Sequence, residues 1–178
     1  MKKLSIVLSI CLLFISLSTQ AVTKRALFMA IDTYNPSGQE STGARHWTNL
    51  EGCVNDAEQV KTLVAAKYGF TDNKYITFIK NQECTRDRIL AELNKLIDQS
   101  QKGDVVFIYY AGHGSQVVNS LSEEADKLDE TMVPADVWKG AKDIRDKELA
   151  LLFNKLIEKG VVLTVIYDSC HSGSVGRG

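Results

Sequence analysis

Residues 104–114 of the chain are Asp-Val-Val-Phe-Ile-Tyr-Tyr-Ala-Gly-His-Gly, and this stretch is the clearest indication of the fold class. Its apolar run, 105–110, has no polar interruption, which is typical of a strand buried on both faces of a parallel sheet. A second continuous run, 161–167, in which Thr164 is the one non-apolar residue, leads into Asp-Ser-Cys-His-Ser-Gly at 168–173. We therefore expect two buried parallel strands, each ending in residues that carry chemistry.

Strand-like and helical patterns alternate along the rest of the chain. Apolar residues recur at helical spacing in three segments, and Asn55, Thr85 and Asp146 are the expected first or capping residues of these helices. Further strand-like runs occur at 24–31 and 75–79. The pattern predicts an α/β fold, a mostly parallel sheet with helices on both faces. The long polar stretch 33–52 is typical of a functional or mobile loop.

The composition is that of an ordinary globular domain. The chain has 178 residues, a formal net charge of −1, 44% hydrophobic and 24% charged residues. This length fits one domain and excludes collagen-like and disordered classes. Without a basic excess there is nothing to attract a phosphate backbone, so we expect no nucleic-acid partner.

The N-terminus has the layout of a secretory signal peptide. Lys2 and Lys3 precede an apolar segment, 4–17, and small residues precede a cut after Ala21. We expect residues 1–21 to be removed, residues 22–178 to form the domain, and the protein to be secreted or periplasmic. The apolar segment is shorter than the roughly 20 residues of a transmembrane helix, so we expect no stable membrane anchor after cleavage. An uncleaved anchor is the alternative.

Two chemically useful side chains follow the two buried strands. In parallel sheets, sites form beyond the carboxyl ends of the strands, so His113 and Cys170 should lie side by side as base and thiol. His171 should face away from the thiol, because successive extended residues point to opposite sides. The alternatives are a simple turn with an inert buried cysteine, or a zinc site including Cys53. Zinc is disfavoured because no short metal-ligand spacing is present.

Four motifs in chain order resemble those of metacaspases. They are Tyr-Tyr-Ala-Gly-His-Gly at 109–114, Asp-Ser-Cys-His-Ser-Gly at 168–173, and two stretches at 50–57 and 129–136. The cysteine motif differs from the Gln-Ala-Cys-x-Gly pattern of true caspases. The resemblance covers residues 24–175 and implies a caspase-like sheet.

The resemblance also implies roles for individual residues. Cys170 would be the nucleophile and His113 the general base and acid, while the backbone amides of Gly114 and Cys170 would hold the oxyanion. Family members cut after Arg or Lys, and the matching acids of the specificity pocket are Asp168 and Asp56. The alternatives are a loop-capping role for Asp168 and a favourable helix-dipole interaction for Asp56.

Many metacaspases use calcium as an activator, although the chemistry itself needs no cofactor. The acidic stretch that includes Asp126, Asp129 and Glu130 is the candidate calcium site. It lacks the spacing of an EF-hand loop, and a solvated acidic loop is the alternative.

The family continues beyond the cysteine strand with a small subunit, whereas this chain ends at Gly178. The chain is therefore expected to be the large-subunit portion, with a sheet incomplete at its C-terminal edge and the missing subunit as a partner. The expected function is an exported cysteine endopeptidase acting on protein or peptide substrates with basic residues. The alternatives are a peptidase of Asp or Asn specificity, or a caspase-like scaffold or regulatory subunit that is inactive without the second half.

Overall fold

The computed structural model describes residues 21–36, 47–119, 121, 125 and 127–169. The elements in chain order are β1 (Lys24–Ala30), α1 (Cys53–Tyr68), β2 (Ile76–Lys80), α2 (Arg86–Gln99), β3 (Val105–Ala111), β4 (Gly114–Val118), β5 (Leu128–Met132), β6 (Ile144–Arg145), α3 (Asp146–Glu158) and β7 (Val162–Asp168). In this described part, no helix has both the length and the apolar character needed to cross a bilayer. The predicted signal peptide lies outside it, apart from Ala21.

The central sheet has four parallel strands in the order β2-β1-β3-β7. This confirms the prediction of a mostly parallel sheet in which the two long apolar runs are neighbours. The strand β3 is buried from Val106 to Ala111. The expectation of full burial is wrong for β7, in which exposed and half-buried residues alternate. The reason is its place at one edge of the sheet, where only one of its faces is covered.

Helices cover both faces of the sheet, as predicted. On one face, Ala57 and Val64 of α1 pack in a cluster with Phe28 and Phe107. On the other face, α2 and α3 pack on the opposite side chains of the same strands, including Ile108. Burial of these apolar side chains is the main stabilising contribution to the domain.

The start of α1 differs from the prediction. The sequence favours Asn55 as the capping residue, but the helix begins at Cys53, and Gly52, at φ 102°, is the capping residue. The cap comes from outside the helix, because the Asp32 carboxylate accepts hydrogen bonds from the amides of Cys53 (2.8 Å) and Val54 (3.3 Å). A carboxylate at this end also interacts favourably with the helix dipole.

A second, small antiparallel sheet was not predicted. Its strand order is β4-β5-β6, and Gly114 at the start of β4 pairs with Met132 of β5. Its strands are short and rich in polar residues, so they lack the apolar run that made the central strands visible in the sequence. This sheet starts directly after His113 and fixes the direction in which the chain leaves β3.

A buried ion pair joins the amino-terminal ends of β1 and β3. The Asp104 carboxylate accepts hydrogen bonds from Arg25 Nε (3.2 Å) and from the amides of Thr23 and Gln101. Burial alone would raise the pKa of Asp104, but these three donors outweigh it and lower that pKa. The pair lies at the opposite end of the strands from His113 and contributes to stability only.

Candidate active site

The two strands that lead to the candidate dyad end side by side. Ala111 of β3 is paired with Asp168 of β7, and the amide of Gly112 donates to the Asp168 carbonyl at 3.2 Å. The chain then reaches His113 one residue after Gly112, and Cys170 two residues after Asp168. Cys170 lies outside the described residues. The predicted adjacency of the two strand ends is therefore confirmed, while the contact between the two side chains stays a prediction.

The imidazole of His113 is held from three sides. Its Nε2 lies 2.8 Å from the Thr48 carbonyl oxygen, and its ring packs against those of Tyr34 and Trp47, with centroids 4.6 and 4.8 Å away. A carbonyl oxygen only accepts hydrogen bonds, so Nε2 carries the hydrogen. In the neutral ring Nδ1 is then the free proton acceptor, which is the state that a general base requires.

The segment that carries Thr48 is tied to the end of β1. The side-chain oxygen of Asn49 accepts hydrogen bonds from the amides of Tyr34 and Asn35, both at 2.9 Å. The amide of Leu50 donates to the Asp32 carbonyl at 2.7 Å. These bonds hold together the two ends of the polar loop, whose residues 37–46 lie outside the described part.

An acidic corner lies beside the strand ends, and we use this name for Asp32, Asp56 and Asp168. Asp168 is exposed and accepts a hydrogen bond from the hydroxyl of Tyr109 at 2.9 Å, and Asp56 is exposed in the first turn of α1. Burial raises the pKa of the Cys53 thiol to about 11, with further contributions from all three carboxylates. Burial, Asp168 and Asp56 also raise the pKa of Tyr109. The two predicted pocket acids therefore act on the same neighbours.

The remaining predicted site residues are placed as follows. Gly114 is buried and follows His113 directly, so its amide lies next to the candidate base, and its oxyanion role stays a prediction. Sequence reasoning assigned no role to Tyr34, Trp47 and Thr48, which contact the His113 ring. The only signal for these three was their position in a long polar loop of the kind that often serves function.

The described residues include two of the three predicted calcium ligands, Asp129 and Glu130. Asp129 and Glu130 are consecutive in β5, so their side chains point to opposite faces of the strand. Asp129 is buried and holds Arg145 at 2.8 Å and the amide group of Asn119. Asp126 lies outside the described part, within which no cluster of three or more His, Cys, Asp or Glu residues could hold a metal. The calcium site and activation by calcium therefore both stay predictions.

Comparisons with known proteins agree with the motifs. The family model described as metacaspase, peptidase C14 domain, matches residues 24–176. Metacaspase-1A of Aspergillus niger is 31% identical over 156 residues, which are 85% of this chain and 36% of that protein. Metacaspase-2 of Trypanosoma brucei brucei is 33% identical over 160 residues, or 86% of this chain and 42% of that protein.

A solved structure gives the same result for the fold. The crystal structure of protein GSU0716 from Geobacter sulfurreducens matches with a TM-score of 0.64 at 30% identity. The match covers 86% of this chain and 52% of the other chain. This chain thus spans less than half the length of the two metacaspases and about half of the solved chain. A family model that matches most of the chain, together with these relatives, shows that the chain belongs to the metacaspase family of C14 peptidases.

Proposed function

We propose that this chain is the catalytic portion of an exported cysteine endopeptidase that cleaves after Arg or Lys. The observation that carries the proposal is the state of His113. Its Nε2 lies 2.8 Å from the Thr48 carbonyl oxygen, and in a neutral ring that donates this hydrogen bond Nδ1 is the atom that can accept the thiol proton. The neighbouring parallel strand β7 leads to Cys170. Membership of the metacaspase family supports the same reaction class.

The reaction follows from these groups. His113 removes the proton of the Cys170 thiol, and the thiolate attacks the carbonyl carbon of the substrate. The amides of Gly114 and Cys170 donate to the negative oxygen of the tetrahedral intermediate. His113 returns the proton to the leaving amine, which leaves a thioester on Cys170. A water molecule, deprotonated by His113, then hydrolyses the thioester and regenerates the thiol.

The acidic corner supports a preference for basic substrates. A guanidinium or ammonium group needs a carboxylate partner when it is removed from water. Asp56 and Asp168 are both exposed and lie beside the strand ends, where a substrate side chain would enter. Asp32 already caps α1, so we assign recognition to the other two acids.

The first test is covalent labelling of the purified protein. A peptidyl-Arg electrophile should modify Cys170 faster than the matching peptidyl-Asp electrophile, with the adduct located by mass spectrometry. The labelling should disappear in His113→Ala, and hydrolysis should disappear in Cys170→Ala. Parallel reactions with calcium and with a chelator test its role as an activator. Equal labelling by both probes would overturn the basic specificity, and turnover by Cys170→Ala would overturn the mechanism.

A second test addresses the acids directly. Asp168→Asn should lower kcat/KM for an Arg substrate by about 10- to 100-fold, the loss expected when a charged partner is removed. Asp98→Asn is the matched control, because Asp98 is an exposed acid on α2, a helix of the opposite face. If both substitutions lowered kcat/KM equally, the loss would come from the change in net charge and not from a specific contact of Asp168 with the substrate.

We also propose that the rest of the protein covers β7. The side chains of Val162 and Ile166, on the α1 side of the sheet, are 59% and 41% exposed. The match covers only 36% and 42% of the two metacaspases. Aspartate substitutions at these two positions should weaken labelling of the full-length protein. If they leave labelling unchanged, this face is not an internal interface.

A further inference from the structure

Two buried tyrosine hydroxyls lie beneath the candidate base. Tyr34 follows β1 and Tyr110 belongs to β3, and both side chains are at most 1% exposed. Their hydroxyl oxygens are 3.2 Å apart. Because a buried hydroxyl is unfavourable without a hydrogen-bond partner, this pair requires an explanation that burial of the rings alone does not provide.

The partners of the pair are the backbone groups of His113. The amide of His113 donates to the Tyr34 hydroxyl oxygen at 2.7 Å, and the Tyr110 hydroxyl lies 2.8 Å from the His113 carbonyl oxygen. The Val133 carbonyl is a further acceptor, 3.0 Å from the Tyr110 hydroxyl and 3.4 Å from that of Tyr34. The amide and the carbonyl of one residue are therefore held by the same pair of side chains.

The number of hydrogens limits which hydrogen bonds the two hydroxyls can donate. Each phenol has one hydrogen. The Tyr34 oxygen accepts from the His113 amide, so its own hydrogen is available for Tyr110 or for the Val133 carbonyl. Burial raises the pKa of both tyrosines, so both hydroxyls keep that hydrogen at any pH at which the protein would act. The pair is a neutral clamp rather than a proton carrier.

The chain around the clamp is shaped to fit it. A Cβ atom at Gly112 would lie 2.5 Å from the Tyr34 hydroxyl oxygen and 2.6 Å from that of Tyr110. Only glycine lets the backbone pass this close. The ring of Tyr34 also packs against the imidazole of His113, so one side chain holds both the peptide and the ring of this residue.

We propose that Tyr34 and Tyr110 are positioning residues that orient His113 as the general base. This inference rests on the proposed function. The clamp fixes the peptide of His113, and the Tyr34 ring and the Thr48 carbonyl then fix the imidazole, with Nδ1 as the acceptor. Without the hydroxyls the ring packing would remain, but the peptide could rotate and carry the imidazole away from Cys170.

The test removes the hydroxyls and keeps the rings. Tyr34→Phe and Tyr110→Phe should each lower kcat by about 10- to 100-fold, the scale of a displacement near 1 Å, with KM changed less than about twofold. The matched control is Tyr167→Phe. The hydroxyl of Tyr167 is also buried, on a ring 6.3 Å from that of Tyr110, but it has no hydrogen-bond partner within the described residues. Its removal should leave kcat unchanged.

A second measurement does not depend on activity. Long-range proton–nitrogen NMR correlations of the imidazole rings, assigned with His113→Gln, report which ring nitrogen carries the hydrogen. We expect the Nε2–H form for His113 in the wild type and in Tyr167→Phe, and a mixture of the two neutral forms in Tyr34→Phe. Circular dichroism checks that each variant is folded, and Tyr110→Phe serves if Tyr34→Phe is not.

The outcomes separate the two proposals. A wild-type protein without hydrolytic activity would count against the proposed function, whereas a changed NMR pattern in Tyr34→Phe would still support the clamp. Unchanged kcat and an unchanged pattern in both clamp variants would overturn the inference and leave the proposed function intact. An equal loss of kcat in Tyr167→Phe would also overturn it, since a hydroxyl with no hydrogen-bond partner in the described residues would then matter as much.

Discussion

The replacement Gly112→Ala tests how tightly the two tyrosine hydroxyls confine the backbone beside His113. At most sites that accept alanine, this change stabilises a protein by about 0.4–1 kcal/mol, because alanine restricts the unfolded chain. Here the new Cβ would lie 2.5 Å from the Tyr34 hydroxyl oxygen and 2.6 Å from that of Tyr110. Real Cβ atoms are not found that close, so one or both tyrosines must move. Gly112→Ala should therefore destabilise this protein instead of stabilising it.

The magnitude follows from what must move. Adding a methyl group to a packed site costs about 1–3 kcal/mol through displaced side chains. If the tyrosines move, the amide of His113 loses its partner at 2.7 Å, and an unsatisfied buried polar group costs a further ~1–3 kcal/mol. We expect the free energy of unfolding to fall by about 2–6 kcal/mol, the sum of the two costs. Because domains of this kind have about 5–15 kcal/mol, a fall toward the lower end of that range leaves the variant folded.

The assay is urea unfolding of a double-mutant cycle. Gly112→Ala is measured alone and in the background Tyr34→Phe/Tyr110→Phe, which removes both close oxygen atoms. The cost of the methyl group should be smaller in that background by at least about 1 kcal/mol, the usual coupling between residues in contact. It should be unchanged in Tyr167→Phe. A neutral or stabilising Gly112→Ala, or equal costs in all three backgrounds, would show that the two hydroxyl oxygens do not exclude a methyl group at this position.

Three further predictions concern other parts of the molecule. Asp32→Ala removes the external cap of α1 and should destabilise the protein by about 1–2 kcal/mol in urea unfolding. At pH 8, iodoacetamide should modify Cys170 well before Cys53, because burial and the neighbouring acids raise the pKa of the Cys53 thiol to about 11. The rate of Cys53 modification should rise about tenfold per pH unit from pH 7 to 10. Peptide mapping by mass spectrometry gives both rates, and fast modification of Cys53 would contradict its burial among acids. Asp104→Asn leaves the buried Arg25 without its counter-charge and should cost about 3–5 kcal/mol at pH 7. Because the folded pKa of Asp104 lies below its ordinary 3.8, the stability it contributes is present above that value and is lost as the pH falls through the lowered pKa. The difference from wild type should therefore shrink as the pH falls below 3.8.

The central sheet was predictable because its signal is local. The run that became β3 is an unbroken apolar segment, and the run that became β7 is interrupted only by Thr164. The rule that parallel strand ends meet at one edge then placed His113 beside the strand of Cys170. Only neighbouring residues are needed for such patterns. The same holds for α2, whose predicted cap Thr85 accepts a hydrogen bond from the amide of Arg88.

The rest was not predictable because it depends on contacts between distant residues. The cap of α1 is Asp32, which lies 21 residues before the amide it holds. The Thr48 carbonyl contacts a ring 65 residues later in the chain, and a backbone carbonyl has no sequence signature at all. The edge exposure of β7 depends on which strands lie beside it, and this cannot be read from the residues of β7 alone.

Asp32 is hydrogen-bonded both to the segment that contacts His113 and to the helix that carries Asp56. Asp32 holds the start of α1, and so the position of Asp56, through its carboxylate, while its carbonyl accepts the amide of Leu50. Leu50 is two residues from Thr48, whose carbonyl orients His113. A displacement of the segment 47–50 would therefore move the proton acceptor and the proposed substrate-binding acid together. It follows that a disturbance of this one segment should reduce both kcat and the preference for basic substrates, whereas changes at the tyrosine clamp should reduce kcat alone.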